Sequence, residues 1–99
     1  MNLQSLMKQA QSMQKNMLAS KKQIEEKTYE GKSELVKVKM SGKKELISVE
    51  IDKDQKLESD DLEVLEDMIV LAVNDAIGKI NKDINDKMGN QAGDLSSLF

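Results

Sequence analysis

The chain contains no Cys, no His, no Trp and no Pro, and only Tyr29 and Phe99 of its 99 residues are aromatic. Each absence removes a class of chemistry. Without Cys or His there is no disulfide framework, thiol nucleophile, zinc-finger ligand set or imidazole base. Serines without an imidazole to activate them give no nucleophile, so no enzymatic activity is expected. Two aromatics cannot make the base-stacking platform of single-strand and RNA-recognition modules. Arg is also missing, so all 15 basic residues are Lys, and the bidentate fork that reads guanine is unavailable. The longest apolar run, Met68 to Val73, is far too short to span a bilayer, and the polar, Gln-rich first twenty residues lack a signal-peptide pattern. A cytoplasmic protein of one domain is expected. A chain this short buries a modest core, so a partner subunit is expected as well.

The charge present is unevenly placed. The net charge is −3, but residues 1–44 hold ten Lys and four acids, while residues 45–99 hold five Lys and fourteen acids. A front half at +6 and a back half at −9 suit either a polyanion-facing surface or a dipolar protein whose halves attract.

Hydrophobic periodicity divides the chain. Leu3, Leu6, Ala10, Met13, Met17 and Ile24 fall on a heptad seam, which predicts a helix over 3–27. Ser20 and Lys27 interrupt the seam, so this helix requires packing to hold it. Alternation then takes over. Val36, Val38 and Met40 in one run, and Ile47, Val49 and Ile51 in the next, predict two half-buried strands joined by a hairpin turn at Ser41-Gly42-Lys43-Lys44. A shorter strand over 27–30 precedes them, with Gly31-Lys32-Ser33 as its turn. A second helix is expected from an N-cap at Ser59, through acids in its first turn, to about Met88, with Gly89 at C′. One stripe of this helix (Leu65, Ile69, Ala72, Ala76, Ile80) can cover the sheet. A second (Val64, Met68, Leu71) has nothing left in 99 residues to bury it, which predicts a homodimer through this helix, with an extension across the sheets as an open variant. Asn74, in the apolar middle of the helix, either fixes register between subunits or is simply exposed. Residues 89–99 read as a flexible C-terminal tail, with Leu95, Leu98 and Phe99 as a weak docking hook. No metal or cofactor is expected; the Asp52–Glu63 region mimics a calcium loop but has Leu57 where the loop needs Gly.

The first helix carries the most informative pattern. Lys8, Lys15 and Lys22 recur every seven residues opposite the seam, Lys21 lies beside them, and no acid occurs before Glu25. That spacing sets three ammonium groups on one line about 10 Å apart, flanked by Gln, as suits phosphate oxygens. A solvated outer face is the other reading, and the missing i,i+4 Glu partners speak against it. Lys37 and Lys39 are expected to pair with Glu45 and Glu50 across the strands. Lys79, Lys82 and Lys87 sit near the end of the second helix, where the dipole favours cations in any case.

Four strings taken in order, Leu6-Met-Lys-Gln-Ala-Gln-Ser-Met-Gln14, Leu35-Val-Lys-Val-Lys-Met-Ser-Gly42, Val49-Glu-Ile-Asp52 and Leu65-Glu-Asp-Met-Ile-Val-Leu-Ala-Val-Asn-Asp-Ala76, resemble the YbaB/EbfC family of bacterial nucleoid-associated proteins. The resemblance covers almost the whole chain, with residues 1–88 as a single domain. It implies an α+β fold with a long N-terminal helix, a small antiparallel three-stranded sheet with a hairpin, and a long C-terminal helix, in an intertwined, tweezer-shaped homodimer. It further implies binding of double-stranded DNA in the nucleoid, with nucleoid organisation or transcription regulation as the outcome. By that analogy the DNA contacts map to Lys8, Lys15, Lys21 and Lys22, with Lys79 and Lys82 added; the dimer interface expected from the second stripe of the long helix is Val64, Met68, Leu71 and Asn74. The family's Gly-rich leader, its Pro/Gly-containing tail and the Arg near the end of its long helix are absent, so phosphate-driven binding with weak sequence preference is expected. No membrane or small-molecule partner is expected. A protein-interaction or chaperone-like helical clasp, built on Met7, Met13 and Met17 in the manner of a prefoldin-like subunit, is the alternative.

Overall fold

A computed structural model describes residues 2–54 and 56–88, Met88 by its backbone alone. The expected cap at Gly89 and the tail over 89–99 lie outside the described residues. Helix α1 spans Leu3–Glu26 and strand β1 Thr28–Lys32; β2 follows over Val36–Ser41 and β3 over Leu46–Ile51. After a 3₁₀ turn over Ser59–Asp61, helix α2 covers Leu62–Met88. The strands form one antiparallel sheet in the order β1-β2-β3. This is the α+β architecture expected from the change of period along the chain.

α2 packs across β1 and β2. Val36, Val38 and Met40 point from β2 into the core, where they meet Ala72, Ala76, Ile80 and Ile84 of α2, together with Ile24 and Tyr29. Leu65 and Ile69 pack partly buried against that cluster, so the sheet-covering stripe is the one the heptad spacing indicates. Gly31 is what lets β1 lie so close. A Cβ built there would stand 2.0 Å from the Ala72 carbonyl oxygen and 2.7 Å from the Ala76 nitrogen. Gly31 is therefore an interior residue of β1, and the turn falls later, closed by the Ser33 amide donating to the Val36 carbonyl at 2.9 Å. The local sequence suggested a turn because the helix backbone that demands a glycine here is some forty residues away in the chain. Gly42 serves a similar end: its Cβ would meet the Ile24 carbonyl oxygen at 1.7 Å, so the hairpin turn tucks under the end of α1.

Polar contacts follow β1 along α2. Tyr29 donates its hydroxyl to Asp83 at 2.5 Å, the Lys32 amide donates to Asp75 at 3.0 Å, and the Ser33 hydroxyl donates to the Met68 carbonyl at 2.6 Å. β1 thus runs antiparallel to α2, beginning near its C-terminal end.

Two local expectations are corrected. The cap is Glu58 rather than Ser59, which is the first residue of the 3₁₀ turn: the Glu58 amide donates to the Asp61 carboxylate at 2.9 Å, and α2 begins at Leu62. In β3, a bulge opposite Lys39 and Met40 sets Leu46 against Met40, while Val49 and Ile51 oppose Val38 and Val36. Ile47 becomes the extra residue, so the core-facing set is Leu46, Val49 and Ile51. Even so, α2 does not reach this strand, and every β3 residue except Ile51 is exposed.

α1 meets α2 only near its own C-terminus. Ile24 is its one buried residue, Met17 is half-buried, and residues 2–16 are exposed throughout. The described chain measures 70 × 20 × 16 Å with a radius of gyration of 18.9 Å, against about 13 Å for a compact domain of this length. α1, about 36 Å long, projects as an arm past the C-terminal end of α2.

Candidate nucleic-acid interface

The lysine line belongs to this arm. At 100° per residue, Lys22 lies 160° round α1 from Ile24 and Lys15 the same from Met17, so Lys8, Lys15 and Lys22 face away from the side that touches α2. None of the three has an ion pair or side-chain hydrogen bond among the described residues. The fourth candidate on α1 is engaged: Lys21 pairs with Glu25 at 3.7 Å, and Glu25 also meets Lys43 at 4.0 Å. On α2, Lys82 is exposed and has no such partner among the described residues. Lys79 is held by Asp75 at 3.5 Å and donates to the Glu30 carbonyl at 2.8 Å. Lys79 thus serves as a tie between α2 and β1, and of the six candidate lysines Lys8, Lys15, Lys22 and Lys82 are the open ones. Lys37 faces Glu50 in register, but its ammonium is 3.8 Å from Glu30, and Lys39 opposes Ser48. The pairing with Glu45 and Glu50 expected from the sequence is replaced by these neighbours.

The charges of α1 run against its macrodipole. Its first turn has no acid and its last turn no base; Lys8 and Lys15 lie in the N-terminal half, and Glu25 and Glu26 close the helix. Both placements oppose the helix dipole and weaken an arm that has little tertiary support. They also add the positive N-terminal dipole to the lysine field, which favours an anion along the arm. A local rule broken in this way marks function more often than packing.

Of the second set of candidates, Val64 and Leu71 are 51% and 61% exposed, and Asn74 is exposed. Met68 is half-buried against the core, so it belongs in part to the monomer. The further apolar area lies on the sheet, where the sequence named no interface residue: Leu46, Ile47 and Val49 of β3, with Val70 of α2, are all more than two-fifths exposed. Counting one covering helix against three strands would have singled them out.

The fold is shared with known proteins. The YbaB/EbfC DNA-binding family profile matches residues 1–95. The chain belongs to this family. Among its relatives, a nucleoid-associated protein of Ligilactobacillus salivarius (strain UCC118) is 35% identical over 99 residues, covering 99% of this chain and 95% of that one. Another, from Lactococcus lactis subsp. lactis (strain IL1403), is 45% identical over 90 residues, covering 90% of this chain and 91% of that one. The crystal structure of an uncharacterized Helicobacter pylori protein superposes with a TM-score of 0.67 at 21% identity, over 84% of this chain and 88% of that one, a likeness of fold. Within the YbaB/EbfC framework no described helix is long and apolar enough to cross a membrane. No group of three or more acids among the described residues is arranged to hold a metal.

Proposed function

We propose that this chain binds double-stranded DNA as a homodimer in the bacterial nucleoid, chiefly through phosphate contacts from its lysine-lined helices. The observation that carries this reading is the arm itself: a projecting helix with open lysines at seven-residue spacing, no acid before Glu25, and charges opposed to its own dipole. The names of its nucleoid-associated relatives support the same role. Lys8, Lys15 and Lys22 make the main contacts and Lys82 adds to them, while Lys21 and Lys79 contribute less because each holds a carboxylate. Lysine point charges without Arg favour phosphate over base edges, so sequence preference is weak.

Dimerisation buries Val64, Leu71 and the open face of β3, with Met68 and Asn74 at the margin. Exposed apolar side chains in this number on a small domain are costly to leave in water. Two arms then engage one duplex from the ends of the dimer.

Duplex titration at a series of salt concentrations tests the assignment. With about six lysine contacts per dimer, log affinity falls against log salt with a slope of about −5. The Lys8→Glu/Lys15→Glu/Lys22→Glu variant loses most of its affinity and flattens that slope. Equal binding by variant and wild type would reject the lysine face.

A further inference from the structure

The arm has a second face that the lysine assignment leaves unexplained. Leu3, Leu6, Ala10 and Met13 fall within about 80° of one another on α1, on the side opposite Lys8 and Lys15. All four are exposed, Leu3 at 70% and Met13 at 51%. Leu3 and Ala10 occupy one seam position of the heptad, Leu6 and Met13 the other. The positions that flank this seam hold Met7, Gln9, Gln14 and Asn16, and the only charges between Leu3 and Met17 are Lys8 and Lys15, at the position farthest from it. A second copy of the same face therefore meets no like charge.

We propose that the arms of two dimers pair through this stripe as a short antiparallel coil and so bridge two DNA duplexes. Side-chain size favours the antiparallel register. With Leu3 of one arm opposite Met13 of the other, Leu6 falls opposite Ala10, and both contacts recur by symmetry. The four layers use every residue of the stripe and set a large side chain against the small one at the centre. Space favours the same register. Met17, half-buried, and Ile24 prolong the line of the stripe, and there α1 packs beside α2. The second arm ends beside Met13, short of that contact, and the two bodies lie at opposite ends of the pair. A parallel partner would run on into the place of α2.

Paired in this way, the arms present Lys8, Lys15 and Lys22 outward on opposite sides. Two helices side by side set the two lysine rows about 20 Å apart, one row for each duplex. Two heptads fall short of the roughly three or four that a free-standing coil needs. Pairing is therefore weak between free dimers and becomes effective where DNA holds many arms at high local concentration. The bridge rests on the lysine contacts with DNA proposed above; the pairing of the stripes does not.

Capture of one duplex by another tests the bridge. A biotinylated duplex on beads is mixed with protein and a fluorescent duplex at low salt. Wild type brings the fluorescent duplex down. The Leu6→Gln/Met13→Gln variant, which places a good helix former at two exposed positions, captures about tenfold less. Its affinity for a single duplex, read by anisotropy, stays within about twofold of wild type, since the stripe touches no phosphate. Pairing itself is read without DNA by mild oxidation of concentrated protein, a direct test because the chain has no Cys. An equimolar mixture of Leu3→Cys and Met13→Cys proteins forms the mixed disulfide about tenfold faster than either protein alone forms its own. No single-duplex binding by wild type would reject the DNA reading, and the bridge with it, while leaving the cross-link intact. Equal capture by the stripe variant, or equal cross-linking rates, would overturn the proposal.

Discussion

Tyr29 of β1 donates its hydroxyl to Asp83 of α2 across 2.5 Å, and the same carboxylate oxygen takes the ammonium of Lys27 at 3.3 Å. Lys87 approaches at 3.8 Å, and the Lys27 ammonium lies 5.6 Å from the centre of the tyrosine ring. This cluster pins the first strand to the end of the long helix, just where the arm departs. The hydrogen bond from Tyr29 and then the lysines hold the Asp83 carboxyl below its ordinary value, against the opposing effect of burial. Burial first, then Asp83, pushes the Tyr29 phenol up from 10.0.

These shifts set a pH window. The Asp83 contribution is present above its unfolded value near 3.8 and is lost as pH falls through the depressed folded value. The Tyr29 contribution is complete below 10.0 and declines as pH rises toward its raised folded value. Tyr29→Phe is expected to cost about 1–2 kcal/mol at neutral pH, to make the acid limb shallower and to remove the tyrosine's share of the alkaline limb. Urea midpoints measured from pH 3 to pH 11, roughly the span over which these groups titrate, check both limbs. A variant that keeps the wild-type limbs would contradict the role given to this hydroxyl.

Three glycines are predicted to answer differently to alanine. At Gly31 the new Cβ meets helix backbone at 2.0 Å, which neither partner can relieve, so Gly31→Ala should destabilise by about 3 kcal/mol. Gly42→Ala meets the Ile24 carbonyl oxygen at 1.7 Å and should prise the hairpin turn from α1 at a similar cost. At Gly78, inside α2, nothing lies within 4 Å, and Gly78→Ala should stabilise the chain by about 0.5–1 kcal/mol through helix propensity. Denaturant titration of the three variants gives the order.

Lys79 and Lys82, three residues apart, separate structural from electrostatic roles. Lys79→Gln breaks the tie to Asp75 and Glu30 and should lower stability by about 0.5–1 kcal/mol, with a small effect on duplex binding. Lys82→Gln should leave the melting temperature unchanged and weaken duplex binding at low salt. Thermal melts alongside duplex titrations compare the two, and the reverse pattern would reassign both lysines.

Single charges placed on the open apolar surface are expected to dissociate the proposed dimer. Leu71→Asp and Val49→Asp alter side chains that are 61% and 42% exposed within one chain, so each should leave the subunit fold largely intact while burying a charge at the subunit contact. Sedimentation equilibrium should find monomers for both. A dimer unaffected by Leu71→Asp but broken by Val49→Asp would move the interface from α2 to the sheet.

Patterns of period and charge carried most of this architecture. The seam of α1, the alternation of β2 and the stripe Leu65–Ile80 of α2 are local signals, and each element formed where its spacing indicated. The lysine line was legible for the same reason, because seven-residue spacing on a helix fixes direction as well as distance. What escaped depends on residues far apart in the chain. Gly31 looked like a turn until the backbone of Ala72 and Ala76 was laid against it. Tyr29 and Asp83, 54 residues apart, share no local pattern. The occupation of Lys21 and Lys79 depends on rotamers and neighbours that composition does not encode. The exposed β3 followed from a mismatch in area between one helix and three strands, and a bulge then altered which of its residues face the core.

The narrow shape of the chain carries a consequence for handling it in solution. A particle more than three times as long as it is wide meets more frictional drag than a sphere of its mass. A lone subunit, as the Leu71→Asp variant should give, will therefore emerge early from a sizing column and sediment slowly, so that the two techniques err in opposite directions about its mass. Removing the arm would bring the two apparent masses together, which makes drag itself a gauge of whether the arm stays extended.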